Sequence, residues 1–237
     1  TLGGCGSRGV IAVDPAAAEV GAVQDILVAS SRQPAAEGVD FLRGPGEGLS
    51  FARMDVSVPP KRRIGTVSFP DPARPDPERD FLIVDARRIA DEQGFVRDVN
   101  EALGRLPPGQ REALVFVHGF NTNFAEGLYR QAQMRYDFQL PGVSIHYAWP
   151  SAARTTSYAT DREAVLQARD DLERLIDLLT QSNARRIVVA GHSMGAFLVM
   201  EAMRQRALRD RPGSFAKTPL IVLMAPDIDV GRSEEHT

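Results

Sequence analysis

The sequence predicts an α/β domain, an open and mostly parallel sheet with helices on both faces. Three observations carry that expectation. From Ala113 onward, short apolar runs alternate with stretches of helical periodicity, the mark of repeated strand–helix–strand units. Leu114-Val115-Phe116-Val117 and Ile187-Val188-Val189-Ala190 are continuous apolar runs, as parallel strands buried on both faces require. The chain has 237 residues, 43% of them hydrophobic, which suits a single domain with a substantial core.

The N-terminal stretch reads as something other than domain. Leu2-Gly3-Gly4-Cys5 resembles a bacterial lipobox, in which the cysteine is lipidated and becomes the mature N-terminus. The lone Cys5 has no internal disulfide partner. The chain starts at Thr1 rather than Met, so the apolar signal region is expected upstream of it. On this reading residues 1–24 are a tether, and the protein meets the bacterial envelope membrane through a lipid anchor only. The same stretch spells Gly4-x-Gly6-x-x-Gly9, a nominal dinucleotide fingerprint. No strand precedes it, so that reading is rejected. A net charge of −3 and the absence of a basic run give no sign of nucleic-acid binding. No run approaches the about 20 apolar residues that span a bilayer.

The domain is expected over residues 25–231. Residues 25–30 and 52–58 read as early strands, the second closed by Pro59-Pro60. Residues 69–79 carry four prolines and read as a surface crossing without regular structure. A further strand is expected at 81–84 and a short helix at 91–103. After the strand at 114–117, Phe124, Leu128 and Ala132 recur every fourth residue, which predicts a helix. A strand follows at 143–148, then the longest helix at 160–179. Residues 187–190 form the next strand, 196–207 a helix, and 220–224 an apolar strand that would stand at the edge of the sheet.

Two strand ends attract attention, because ligands in open α/β sheets sit beyond the carboxyl ends of the strands. Gly191-His192-Ser193-Met194-Gly195 lies between an apolar strand and a helix. The G-x-S-x-G pattern alone would arise by chance in roughly one such sequence in ten; its strand–turn–helix setting makes it specific. A serine there occupies a strained turn, and glycines on either side allow the strand and helix to approach. Ser193 is therefore the candidate nucleophile, with Gly191 and Gly195 as supports. The other end is His118-Gly119-Phe120-Asn121. Acyl transfer needs two backbone N–H donors aimed at the oxyanion, and these are assigned to Met194 and Phe120, with Gly119 and His118 supporting the loop. The plain alternative for the second loop is a glycine turn after a buried strand.

Residues from about 113 to 231 resemble a bacterial α/β-hydrolase family of unknown function described as esterase/lipase-like. The matching segments are VFVHGFNTNF (115–124), YAWPS (147–151), Tyr158 to Asp161, VAGHSMG (189–195) and LMAPDID (223–229), with fainter likeness through DILVASSR (25–32) and VSVPPKRRIG (56–65). The resemblance implies the α/β-hydrolase fold and a nucleophilic Ser193, and it agrees with a lipoprotein. It implies no substrate. The expected activity is hydrolysis of a small-molecule carboxylic ester through an acyl-enzyme, without cofactor or metal. Two rivals stand beside it: a non-catalytic envelope binding protein on the same fold, and an acyltransferase using the same serine.

The rest of the machinery is harder to find. In this fold the order along the chain is serine, acid, histidine, and only His236 follows Ser193 late enough. Arg232-Ser233-Glu234-Glu235-His236-Thr237 reads as the in-frame translation of a sequencing adapter and is set aside as non-native. The expectation is thus that the last strands and the histidine lie beyond the chain. Asp227 is the candidate acid, against a structural role in its loop. His118 reads as an orienting residue, His146 as a side chain packed within a strand, and His192 as pointing away from its neighbour Ser193. Trp149, Tyr158 and Asp161 are placed either at the mouth of the site or in packing and capping roles.

Overall fold

The computed structural model describes residues 8–152, 158–209, 217 and 220–225. Their strands are β1 (Ala22–Pro34), β2 (Phe41–Val58), β3 (Leu82–Ile89), β4 (Glu112–Val117), β5 (Val143–Ala148), β6 (Arg186–His192) and β7 (Leu220–Met224). The helices are α1 (Glu92–Gly104), α2 (Phe124–Asp137), α3 (Tyr158–Gln181) and α4 (Met194–Arg209). The strands make one sheet in the order β3-β2-β1-β5-β4-β6-β7. β1, β2 and β3 form an antiparallel meander, and every pairing from β1 through β5, β4 and β6 to β7 is parallel.

Strand alternation divides the core into two layers. Leu27 and Ala29 of β1 point to one face, with Val115 and Val117 of β4 and Ile145 and Tyr147 of β5. Phe95 of α1, Leu172, Leu175 and Ile176 of α3 and Leu198 of α4 cover that face. Ile26 and Val28 point the other way and pack beneath Phe124, Leu128 and Ala132 of α2. The helical spacing of those three residues thus becomes one buried stripe. Asn123 and Glu126 start α2 with a capping box, each side chain satisfying an otherwise orphan backbone N–H of the first turn. At the far edge, Leu220 and Val222 of β7 remain 49% and 38% exposed, as expected of an apolar edge strand.

Two expectations from sequence are corrected. β2 starts at Phe41 and not near residue 52. Its first half includes Gly44, Pro45, Gly46 and Gly48, which hide a strand signal. That half pairs with β1 alone, since β3 meets β2 only from Phe51 to Ser57. With one side unpaired and the β1 register shifting at Arg32, a proline fits without breaking the sheet. The second correction concerns the tether: from Arg8 onward that segment is docked on the domain. Ile83 N–H donates to Ala12 O at 2.9 Å and Asp14 N–H to Ile83 O at 2.8 Å. Ala17 is fully buried beneath the Ser57 hydroxyl that donates to its carbonyl. Small side chains that look like linker composition let the backbone lie close against the sheet.

Truncating the α2 stripe should be costly. Leu128→Ala, at a fully buried position, should lower unfolding free energy by about 2–5 kcal/mol. Leu140→Ala, at a 40% exposed position, should cost roughly 0.5 kcal/mol or less. Urea unfolding of both variants measures the contrast.

Candidate active site

β4 and β6 are neighbours, and their register places Val117 opposite Gly191. The two turns that follow therefore leave the sheet side by side. In the β6–α4 turn, Ser193 has φ 52°, a left-handed conformation that a non-glycine residue adopts only when its surroundings enforce it. Here Ser193 N–H donates to Met224 O at 3.0 Å, and its carbonyl accepts from Ala196 N–H at 2.9 Å. Met194 then opens α4 and is fully buried.

The glycines of the motif have steric reasons. A Cβ on Gly191 would lie 2.7 Å from Ala196 Cα, so β6 and α4 could not close. A Cβ on Gly195 would run into the carbonyls of Val117 and His118 at the end of β4. A Cβ on Gly119 would meet His192 Nδ1 at 2.8 Å and Ser193 Cβ at 3.1 Å. The His118–Phe120 loop thus rests directly on the turn that carries Ser193.

Beneath this contact lies a buried polar layer. The His118 ring stacks on Trp149 at 5.3 Å with an interplanar angle of 11°, and Trp149 Nε1 donates to His118 O at 2.7 Å. His118 Nδ1 lies 3.0 Å from Gly119 O and Nε2 lies 3.2 Å from Trp149 O. Burial, followed by the charge of Arg32, pushes the His118 pKa well below its usual value. A neutral ring has one N–H, so it serves one of the two carbonyls at a time. Asp161, also buried, accepts from Ser151 Oγ at 2.7 Å and Ala152 N–H at 2.8 Å. Asp161 therefore holds Ser151 and Ala152, just beyond β5; the Tyr158 side chain lies outside the described residues.

Of the remaining histidines, His146 is packed within its strand as the sequence predicts. His146 is fully buried on β5 between Phe116 and Phe124, with ring centroids 6.2 and 6.1 Å away. Neither of its ring nitrogens has a hydrogen-bond partner among the described residues. Its pKa is lowered to about 3, mainly by burial and further by Arg32. His192 is solvent-exposed and lines a cavity of about 550 Å³ together with Phe116, Gly119, Arg130, Met134 and Met224. Among the described residues none of these histidines hydrogen-bonds Ser193. Cys5, Asp227 and His236 lie outside the described residues. Among the described residues no three His, Cys, Asp or Glu side chains cluster as metal ligands, and no helix is long and apolar enough to cross a membrane.

Sequence reasoning passed over two arginines. Arg32, at the carboxyl end of β1, is fully buried, and its Nη2 donates to Thr122 O at 3.0 Å. Arg8 reaches Asn121 and Glu126. The DILVASSR segment held Arg32 in view, but nothing local ties it to a loop 90 residues away.

Set beside known proteins, residues 96–236 match the family described as alpha/beta hydrolase of unknown function (DUF900). No curated protein and no solved structure matches the chain.

The two buried histidines set an acid limit on stability. Both have folded pKa values below the unfolded value near 6.5, so their contribution is complete above about pH 6.5 and declines as pH falls below it, for His146 down to its folded value of about 3. Each adds a slope of up to about 1.4 kcal/mol per pH unit. His146→Leu should remove one histidine's share of that slope, which urea titrations between pH 4 and 7 would measure.

Proposed function

Because the chain belongs to this family of α/β hydrolases, we propose that it is a serine hydrolase that cleaves carboxylic esters through an acyl-enzyme on Ser193. The observation that carries the reading is the strained φ of 52° at Ser193, between a parallel strand and a helix N-terminus. Such strain costs roughly 1–3 kcal/mol, and presenting a nucleophile is the use this fold makes of it.

In the proposed reaction, Ser193 Oγ attacks the ester carbonyl carbon as its proton passes to a general base. The tetrahedral oxyanion is received by the N–H groups of Met194 and Phe120, on the elbow and on the loop that rests against it. Collapse breaks the carbon–oxygen bond to the alcohol, which leaves with the proton. Water then attacks the acyl-serine, the base takes its proton, and the acid departs as Ser193 is reprotonated. The fixed backbone dipoles favour the charged intermediate over the neutral ester, which is where the rate enhancement arises. The cavity beside His192 offers space for the ester's substituents. We place the general base outside the described residues and keep Asp227 as the proposed acid.

One observation favours a second reading, a binding protein on a hydrolase fold: no described histidine engages Ser193. A fluorophosphonate probe separates the two. The intact protein should be labelled on Ser193, and Ser193→Ala should lose both labelling and turnover of simple aryl esters by several orders of magnitude. Wild-type protein that neither labels nor turns over would point to binding instead.

The lipobox-like Leu2-Gly3-Gly4-Cys5 supports a lipid-anchored envelope location. Metabolic labelling with a fatty-acid probe in a bacterial host should mark the complete gene product and spare its Cys5→Ala variant.

A further inference from the structure

The loop between β4 and α2 has each of its carbonyls from Gly119 to Thr122 turned to a partner. Gly119 O faces His118 Nδ1 at 3.0 Å, and Phe120 O accepts from the Thr122 hydroxyl at 3.2 Å. Asn121 O accepts from Arg8 Nη2 at 3.1 Å, and Thr122 O from Arg32 Nη2 at 3.0 Å. The peptides are all trans, so each N–H points roughly opposite to the carbonyl it shares a plane with. Fixing the carbonyls therefore fixes where the loop's N–H groups aim.

The two arginines act on the part of the loop least able to hold itself. Asn121 has φ 54°, a conformation asparagine tolerates better than most residues but does not prefer. Arg8 and Arg32, from different elements, grip the carbonyls of two successive peptides, Asn121–Thr122 and Thr122–Asn123. Arg8 comes from the N-terminal strap, and its Nη1 also donates to Asn121 Oδ1 at 3.1 Å. Its Nη2 pairs with Glu126 Oε2 at 2.8 Å, in the capping box of α2. Gly9 N–H donates to Glu126 Oε1 and Asn123 Nδ2 donates to Gly9 O, so five hydrogen bonds stitch the strap to the loop and the start of α2. Arg32 comes from β1 and is fully buried. Burying a guanidinium is expensive; Asp161 and Asp40 supply the nearest opposite charge.

We propose that Arg8 and Arg32 are positioning residues for the oxyanion loop, holding its backbone so that the Phe120 peptide stays set against Ser193. The proposal rests on the serine-hydrolase reading given above. It makes a guanidinium necessary, because three acceptors in two directions at Arg8 exceed what an ammonium at that position can span.

The test joins a structural readout with a chemical one on the full chain. Backbone amide exchange of residues 119–123 and the rate of Ser193 reaction with a fluorophosphonate are measured for wild type, Arg8→Met, Arg8→Lys and Arg32→Lys. Arg79→Met, at an exposed ion pair far from the loop, serves as control. Arg8 is partly exposed, so Arg8→Met should fold with a wild-type unfolding transition even if Arg32→Lys does not. It should speed loop exchange and slow labelling, each by about tenfold or more, since loss of alignment at an oxyanion site costs on that order. KM for an aryl ester should stay near the wild-type value, a kcat effect that mere loss of stability would not single out. Arg8→Lys should recover only part of either. Unchanged exchange in Arg8→Met overturns the bracing. Faster exchange with unchanged labelling overturns its link to the chemistry. Wild-type protein that never labels removes the hydrolase reading instead, and amide exchange still decides whether the arginines hold the loop.

Discussion

Val117 and Gly191 are paired across β4 and β6, and the chains that continue from them stay in close contact. Gly119 and Gly195 stand where any Cβ would strike the opposite backbone. The close approach constrains everything around it. It fixes the height of Ser193 above the sheet, brings the His118–Phe120 loop against the elbow, and leaves Met194 buried at the start of α4. Interiors pack at crystal-like density and do not deform smoothly, so a displacement of either turn would be passed to the other. The strain at Ser193 persists because this packing leaves it no relaxed alternative.

The polar layer below is held differently. His118, Trp149, Asp161, Ser151 and Arg32 are all nearly or fully removed from water. Such groups stabilise a fold only when their bonds are complete. Most are: Trp149 binds the His118 carbonyl, and Asp161 takes two donors. The histidine ring stays neutral between two carbonyls, and Arg32, with its pKa lowered to about 10, still carries its charge at neutral pH. The layer therefore combines one fixed cation, opposed by the Asp161 carboxylate, with one uncharged ring.

Local sequence was a good guide wherever one period ruled the chain. The apolar runs of β4 and β6, the four-residue repeat of α2 and the long apolar stripe of α3 all appear where their patterns put them. The elbow was readable because its glycines, its serine and its flanking elements lie in one continuous stretch, Arg186–Arg209. Two kinds of information were not local. The first half of β2 is irregular in composition and is strand only because β1 lies beside it. The N-terminal strap looks like linker and is ordered by Glu126, Tyr129 and Ile83, each far along the chain. Arg8 and Arg32 belong to this second class. An arginine's reach is set by tertiary neighbours, and no spacing rule links either residue to the loop it grips.

That separation has a consequence for synthesis. Arg8 leaves the ribosome well before its partners Asn121 and Glu126, which follow 113 and 118 positions later. The meander of β1, β2 and β3 has its own local pairings and can form while the rest is still being made. β1 then waits for β5 to add the first parallel pair. Ala12 and Asp14 can pair with Ile83 of β3 as soon as it is made, but Arg8 and Gly9 have nothing to grip until α2 has emerged and capped. At ordinary elongation rates of about 5–20 residues per second, roughly six to twenty-four seconds of translation separate Arg8 from the residues it grips. Arg8 and Gly9 are thus fastened only after more than a hundred later residues have been made.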